Sequence, residues 1–211
     1  MLKQLFSVFC LLMFSVSLAQ EDVTAEEKAY LEKISNANAA NSKEAEIADA
    51  YNKGLKNYKI GYWTEAEKNF AKANKLNPGF TSSAYHLAMV KIELGKYTEA
   101  VTLCEGIISK DAKHVMAWYQ KARAYQLNKM YLESEKAYEK PISIDKTNPK
   151  AWYNYGTLKF MVRDYEGAIK LFNKALEIKK TNAKGMDYSY PMNDRGSCYR
   201  MLGDNDKAAA D

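Results

Sequence analysis

Apolar and small residues recur along this chain with a step of 34. One aromatic column is Tyr51, Tyr85, Tyr119 and Tyr153, and a second is Trp63, Tyr97, Tyr131 and Tyr165. A small-residue column follows three residues later: Ala66, Ala100, Ser134 and Ala168. Four residues further on stands a bulky one: Phe70, Cys104, Tyr138 and Phe172. Gly54, Ala88, Ala122 and Gly156 form another small column. A fixed step held by five columns over four copies marks an internal repeat. Packing of helices is the physical reading of the columns, with each copy taken as two antiparallel helices, A and B. Small residues allow close approach between them and aromatic residues fill the spaces left. One such pair cannot bury its apolar face alone, so the copies are expected to stack on their neighbours.

A period of 34 with these columns resembles the tetratricopeptide repeat, whose pattern runs W-x2-L-G-x2-Y, then A-x3-F, then P. The fourth copy is nearest, with Trp152-Tyr153-Asn154-Tyr155-Gly156, Ala168 and Phe172. It departs at Tyr155, where the family prefers Leu, and at Lys159, where it prefers Tyr. The first copy keeps Gly54, Ala66, Phe70 and a closing Pro78, and a fifth begins near Ser189 with Gly196, Tyr199 and Gly203. The resemblance implies an all-α fold, a right-handed superhelical solenoid of antiparallel helix pairs. The copies fall at residues 47–80, 81–114, 115–148 and 149–182. Six inserted residues follow at 183–188, then a partial copy at 189–211.

Several positions depart from the repeat. Gly61 and Gly95 mark the A-to-B turn early on, whereas Lys129 and Arg163 replace glycine later, so those turns should avoid a left-handed residue or strain slightly. Pro141 falls in the column of Ala73, Ile107 and Ala175, within helix B of the third copy, and predicts a kink or an early end. The segment 184–191 is expected to be a longer loop exposing Tyr188 and Tyr190. Helix B of the fifth copy starts at Asp206 and reaches only about one turn, which suggests a fragment, a covering partner or self-association there.

The region before the repeats reads differently. Leu5 to Leu18 is an apolar run after Lys3, and Ser17-Leu18-Ala19 places small residues where a signal peptidase inspects. Residues 1–19 are therefore expected to be a signal peptide, too short for a stable membrane span. The mature protein is then periplasmic or secreted, most simply in a bacterial envelope. Residues 20–46 predict a helical leader or cap, with capping-box spacing at Thr24 and Glu27.

Composition narrows the chemistry. Charged residues are 27% and the formal charge is only +5, which gives no argument for nucleic acid. His86 and His114 stand on different predicted helices, with no recognised metal spacing to Cys104. No phosphate-cradling glycine loop, G-x-S-x-G or H-E-x-x-H is present, so no catalytic set and no cofactor are expected. Cys104 and Cys198 occupy buried-type columns about three repeats apart and are expected to be buried free thiols.

Function is then carried by surface. In the family resembled here the A helices line a concave groove. The candidate ligand-binding residues are Tyr51, Asn52, Tyr85, His86, Tyr119, Gln120, Arg123, Tyr153 and Asn154. A tyrosine ladder beside amides and imidazole suits an extended peptide. The same ladder could equally pack successive A helices. The Lys, Asn and Arg cluster with which some family members hold a C-terminal carboxylate is missing. The expectation is a non-enzymatic protein-interaction scaffold. Its rivals are a carbohydrate- or cell-wall-binding protein using the aromatic groove, and an N-terminal accessory module of a longer enzyme or signalling protein.

Overall fold

The computed structural model describes residues 43–181 and 188–211. The expected signal peptide, the Thr24 capping box, most of the 20–46 leader and the insertion up to residue 187 lie outside them. Ten helices run in succession among the described residues: α1 Lys43–Lys59, α2 Trp63–Leu76, α3 Thr81–Glu93, α4 Tyr97–Lys110, α5 Val115–Leu127, α6 Tyr131–Ile144, α7 Pro149–Met161, α8 Tyr165–Thr181, α9 Ser189–Met201 and α10 Asn205–Ala210. Odd-numbered helices are the A helices and even-numbered ones the B helices. The first A helix begins at Lys43, four residues before the start expected from the columns.

The chain forms two compact units, divided after Leu94. In the first, α2 packs against both α1 and α3. In the second, each helix from α4 to α10 packs on the next, and α7 also meets α9. The small and bulky columns meet inside the A–B pairs. A Cβ added to Gly54 would lie 2.7 Å from the Phe70 ring, and one added to Gly156 would lie 2.5 Å from Phe172. Both phenyl rings are fully buried. Where the bulky residue is Tyr138, the small one is Ala122, whose carbonyl accepts from Ser134 Oγ at 2.8 Å.

The A-to-B turns share one geometry. After α1, the Tyr62 amide donates to Asn57 O at 2.9 Å and the Gly61 amide to Tyr58 O at 3.1 Å. This pair of bonds satisfies carbonyls left open at the helix end and requires a left-handed residue between helices. Gly61, Gly95 and Gly203 supply it with φ of 78°, 73° and 84°. Lys129 and Arg163 adopt the same conformation, at φ 61° and 65°. Their turns repeat both bonds, Met130 N to Tyr125 O and Asp164 N to Lys159 O at 2.9 Å each, with Lys129 N to Gln126 O and Arg163 N to Phe160 O. Of the two expectations for these turns, strain holds and avoidance does not. The two bonds per turn outweigh a left-handed penalty of about 1–2 kcal/mol.

The B-to-A turns also repeat, through a column that the aromatic pattern does not reveal. Asn77, Asp111 and Asp145 cap α2, α4 and α6 in extended conformation. Each side-chain oxygen accepts from the amide two residues on, at Gly79 (3.0 Å), Lys113 (2.9 Å) and Thr147 (2.8 Å). The indoles of Trp118 and Trp152 then reach back to Ala112 O and Lys146 O, at 3.0 and 2.9 Å. Asn148 caps α7 by accepting from the Lys150 amide, with Pro149 in the first turn where no donor is needed.

Pro141 does not end its helix early. α6 has 14 residues, as α2 and α4 do, and Pro141 is buried with its carbonyl accepting from the Asp145 amide at 2.9 Å. The missing donor lies in the last turn, so only one intrahelical bond is lost. Tyr188, expected on an exposed loop, is buried at the entry to α9, while Tyr190 is exposed. Helix begins at Ser189, so Pro191 stands in its first turn rather than in a loop.

Candidate protein-binding surface

The expected site residues are placed by their helices as follows. In the first unit, Tyr51 of α1 is fully buried and Asn52 beside it is exposed. The Tyr51 ring meets Phe80 edge-on at a centroid distance of 4.8 Å and Phe70 at 5.5 Å. His86 of α3, expected on the groove side, is buried and stacked on Phe70 at 5.3 Å. Its Nδ1 lies 2.9 Å from Ser82 O and 3.0 Å from Tyr51 Oη. A carbonyl can only accept, so Nδ1 carries the proton in that contact. Tyr85 is half-buried and meets the His86 ring edge-on.

In the second unit, Tyr119 and Gln120 of α5 are buried, and Arg123 is half-buried. Tyr153 of α7 is buried and Asn154 is half-buried. The Tyr153 hydroxyl donates to Asp194 Oδ2 of α9 at 2.9 Å. Burial pushes the Asp194 carboxyl above its ordinary value, and the Tyr153 bond offsets only part of that. Three of the four ladder tyrosines therefore spend their rings in helix packing. What remains open on the A helices is the polar register beside them: Arg123 on α5, Asn154 and Thr157 on α7, and Ser197 on α9, all half-buried.

Two polar networks escaped the sequence reading. The Tyr155 hydroxyl donates to Glu135 Oε1 of α6 at 2.5 Å, and Lys159 pairs with the same oxygen. Burial alone would raise the Glu135 carboxyl, but bonds from Lys159 and Tyr155 outweigh it and hold it below its usual value. Tyr155 and Lys159 are the two places where the fourth copy departs from the family pattern, so each departure completes the other. On α6 and α5, the buried Tyr138 hydroxyl donates to Gln126 Oε1 at 2.7 Å, and Gln126 Nε2 lies 2.7 Å from Met161 Sδ.

Cys104 and Cys198 are buried free thiols, each pushed up to about 12 by burial. His114 caps α5 by accepting from the Ala117 amide at 3.1 Å. Among the described residues no group of three or more His, Cys, Asp or Glu could hold a metal ion, and no helix is long and apolar enough to cross a membrane.

Helix hairpins with a 34-residue step, identical turns and a polar register on successive A helices define a helical repeat protein. Sequence models described as tetratricopeptide repeat match residues 117–148 and 148–210. Over residues 117–210 the chain is made of tetratricopeptide repeats. Over 57 residues it is 42% identical to tetratricopeptide repeat protein 37 of Xenopus laevis, a stretch that is 27% of this chain and 4% of that protein. Among solved structures, residues 41 to the end of MamA from Desulfovibrio magneticus RS-1 share the fold. The TM-score is 0.59 at 18% identity, over 77% of this chain and 100% of that one. A thermophilic TPR protein of Thermus thermophilus gives 0.63 at 15% identity, over 78% and 87% of the two chains. Proteins of this repeat class are generally non-enzymatic scaffolds for protein partners.

Proposed function

We propose that this protein is an exported scaffold of the cell envelope that binds an extended protein segment along its A helices. Within the second unit, the segment would lie across α5, α7 and α9. One observation carries the reading: at the same register of these three helices stand Arg123, Thr157 and Ser197, polar and half-buried, with Asn154 one turn before Thr157. Half-buried amides, hydroxyls and a guanidinium suit the backbone of a peptide, which offers both donors and acceptors. The buried tyrosines beneath would hold these groups in place rather than touch the ligand. Export rests on the apolar run Leu5 to Leu18 and the small residues up to Ala19.

The test is co-purification from envelope extract with the chain and with an Arg123→Ala/Asn154→Ala variant. Partners held by the parent and lost by the variant, at unchanged melting temperature, are expected. Equal capture by both would remove the groove assignment. N-terminal sequencing of the exported protein should begin at Gln20.

A further inference from the structure

We infer that Asp194 of α9 receives a lysine or arginine side chain of the segment bound along α5, α7 and α9. The inference rests on the groove reading above and names one chemical feature of the ligand. Helices α5 and α7 contain no Asp or Glu, and Asp194 is the one acidic residue of α9. The column it continues holds Asn52, His86, Gln120 and Asn154. A carboxylate therefore stands where the earlier copies place an amide or an imidazole. Asp194 is half-buried and turns towards α7, where the Tyr153 hydroxyl donates to Oδ2 at 2.9 Å. A carboxylate accepts at both oxygens, so one bond from Tyr153 leaves capacity for a further donor.

No cation of the fold serves this carboxylate. The adjacent Arg195 donates to Asp211 and Asn173, and Arg200 donates to Ser197 Oγ. Among the described residues Asp194 forms no ion pair. Burial pushes its carboxyl up, and the bond from Tyr153 is what works against that. A half-buried carboxylate without a counter-ion costs stability, whereas asparagine would accept the same bond from Tyr153 and carry no charge. A residue that costs stability where a neutral one would fit marks a place given to function. Ser197 stands one turn further along α9, and Asn154 and Thr157 stand on α7, all half-buried. They would hold the backbone of the segment while Asp194 pairs with one of its side chains. Lysine or arginine there would form a charge-assisted hydrogen bond to the carboxylate. Aspartate or glutamate at the same place would meet like charge, so the site also fixes the register of the segment.

The experiment is selection from a random peptide library displayed on phage, with the full chain and with Asp194→Asn as targets. The selected peptides are remade with blocked termini, so that only a side chain carries positive charge, and their affinities are measured. Peptides selected by the parent should share Lys or Arg at one fixed position. Replacing that residue by Gln should weaken binding to the parent by about tenfold or more, with little change in binding to Asp194→Asn. Asp194→Asn should melt no lower than the parent, so its lost preference cannot reflect unfolding. Asp194→Glu keeps the charge and should keep the preference. Selected peptides with no shared basic residue would overturn the assignment and leave the groove reading standing. A preference that Asp194→Asn retains would do the same. If no peptide is selected, or the selected peptides bind an Arg123→Ala/Asn154→Ala variant equally well, the groove reading fails and the inference fails with it.

Discussion

Tyr153 Oη and Asp194 Oδ2 stand at the same repeat positions as Tyr51 Oη and His86 Nδ1, 2.9 and 3.0 Å apart, although Tyr153 donates its proton whereas a protonated Nδ1 leaves Tyr51 Oη to accept. The first pair is 41 residues apart in the chain and the second 35. The difference of six is the length of the insertion at 183–188. In both, a ladder tyrosine on one A helix reaches the adjoining polar column on the next. The ladder and the polar column therefore serve each other before they serve a ligand.

Asp194 bears a cost in that arrangement. Its pKa is raised by burial, so the folded state binds a proton more readily than the unfolded chain. Stability should rise as pH falls through the window above the ordinary Asp value of 3.8. Asp194→Asn keeps an acceptor for Tyr153 and removes the charge. It should melt at or above the parent at pH 7, with the gap closing towards pH 4. Tyr153→Phe should lose about 1 kcal/mol and shift the Asp194 titration further up, readable by NMR. A parent whose stability falls over that interval relative to Asp194→Asn would refute the account.

How much of this was legible depends on what makes the pattern. The columns that hold Gly54 and Gly156, and Phe70 and Phe172, are legible in the sequence because close packing of helices demands both small and large residues; which glycine faces which ring is shown by the structure. The direction in which Tyr51 and Tyr119 point is not legible, since a tyrosine suits a groove and a core equally well. Asn77, Asp111 and Asp145 hold the 34-residue step, yet Asn and Asp look like ordinary loop residues and lie outside every apolar column. The Glu135–Tyr155–Lys159 network links residues of adjacent copies, and a step read within single columns does not expose such pairs. Left-handed Lys129 and Arg163 could be inferred only from the glycines at the same register.

Glu135 should behave oppositely to Asp194. Its pKa is lowered, so it contributes stability above the usual carboxylate value that is lost as pH falls through the folded value. Its partner Lys159 is raised by the same bond. Glu135→Gln should therefore destabilise at pH 7, and the difference from the parent should shrink as pH falls below the ordinary Glu value of 4.5. Thermal melts across that range on both proteins decide it. A constant difference at all pH values would point to packing rather than charge.

The turns at Lys129 and Arg163 allow a stability test free of any ligand. A left-handed residue with a side chain costs about 1–2 kcal/mol, and glycine gives back about 0.4–1 kcal/mol through the unfolded chain. Lys129→Gly and Arg163→Gly should each gain up to about 1 kcal/mol in urea unfolding. Alanine at either position should gain nothing, because it keeps the Cβ. If alanine stabilises as much as glycine, charge repulsion rather than backbone strain sets the cost.

The fit of Gly156 against Phe172 makes a coupled prediction. An alanine Cβ at Gly156 would meet the Phe172 ring at 2.5 Å, where something must shift. Phe172 is fully buried, so its ring has little room to retreat. Alanine gains about 1 kcal/mol of helix propensity, while overpacking costs about 1–3 kcal/mol. Gly156→Ala should therefore destabilise by about 1 kcal/mol. Phe172→Leu removes the clashing edge and leaves a small cavity, so it destabilises alone. In that background Gly156→Ala should become neutral or stabilising, because the new methyl fills space that the ring has left. The double-mutant cycle measures this as a favourable coupling between the two sites. Additive losses would mean that the helices separate rather than interlock. The small column would then reflect turn geometry instead of the close approach that sets the 34-residue repeat.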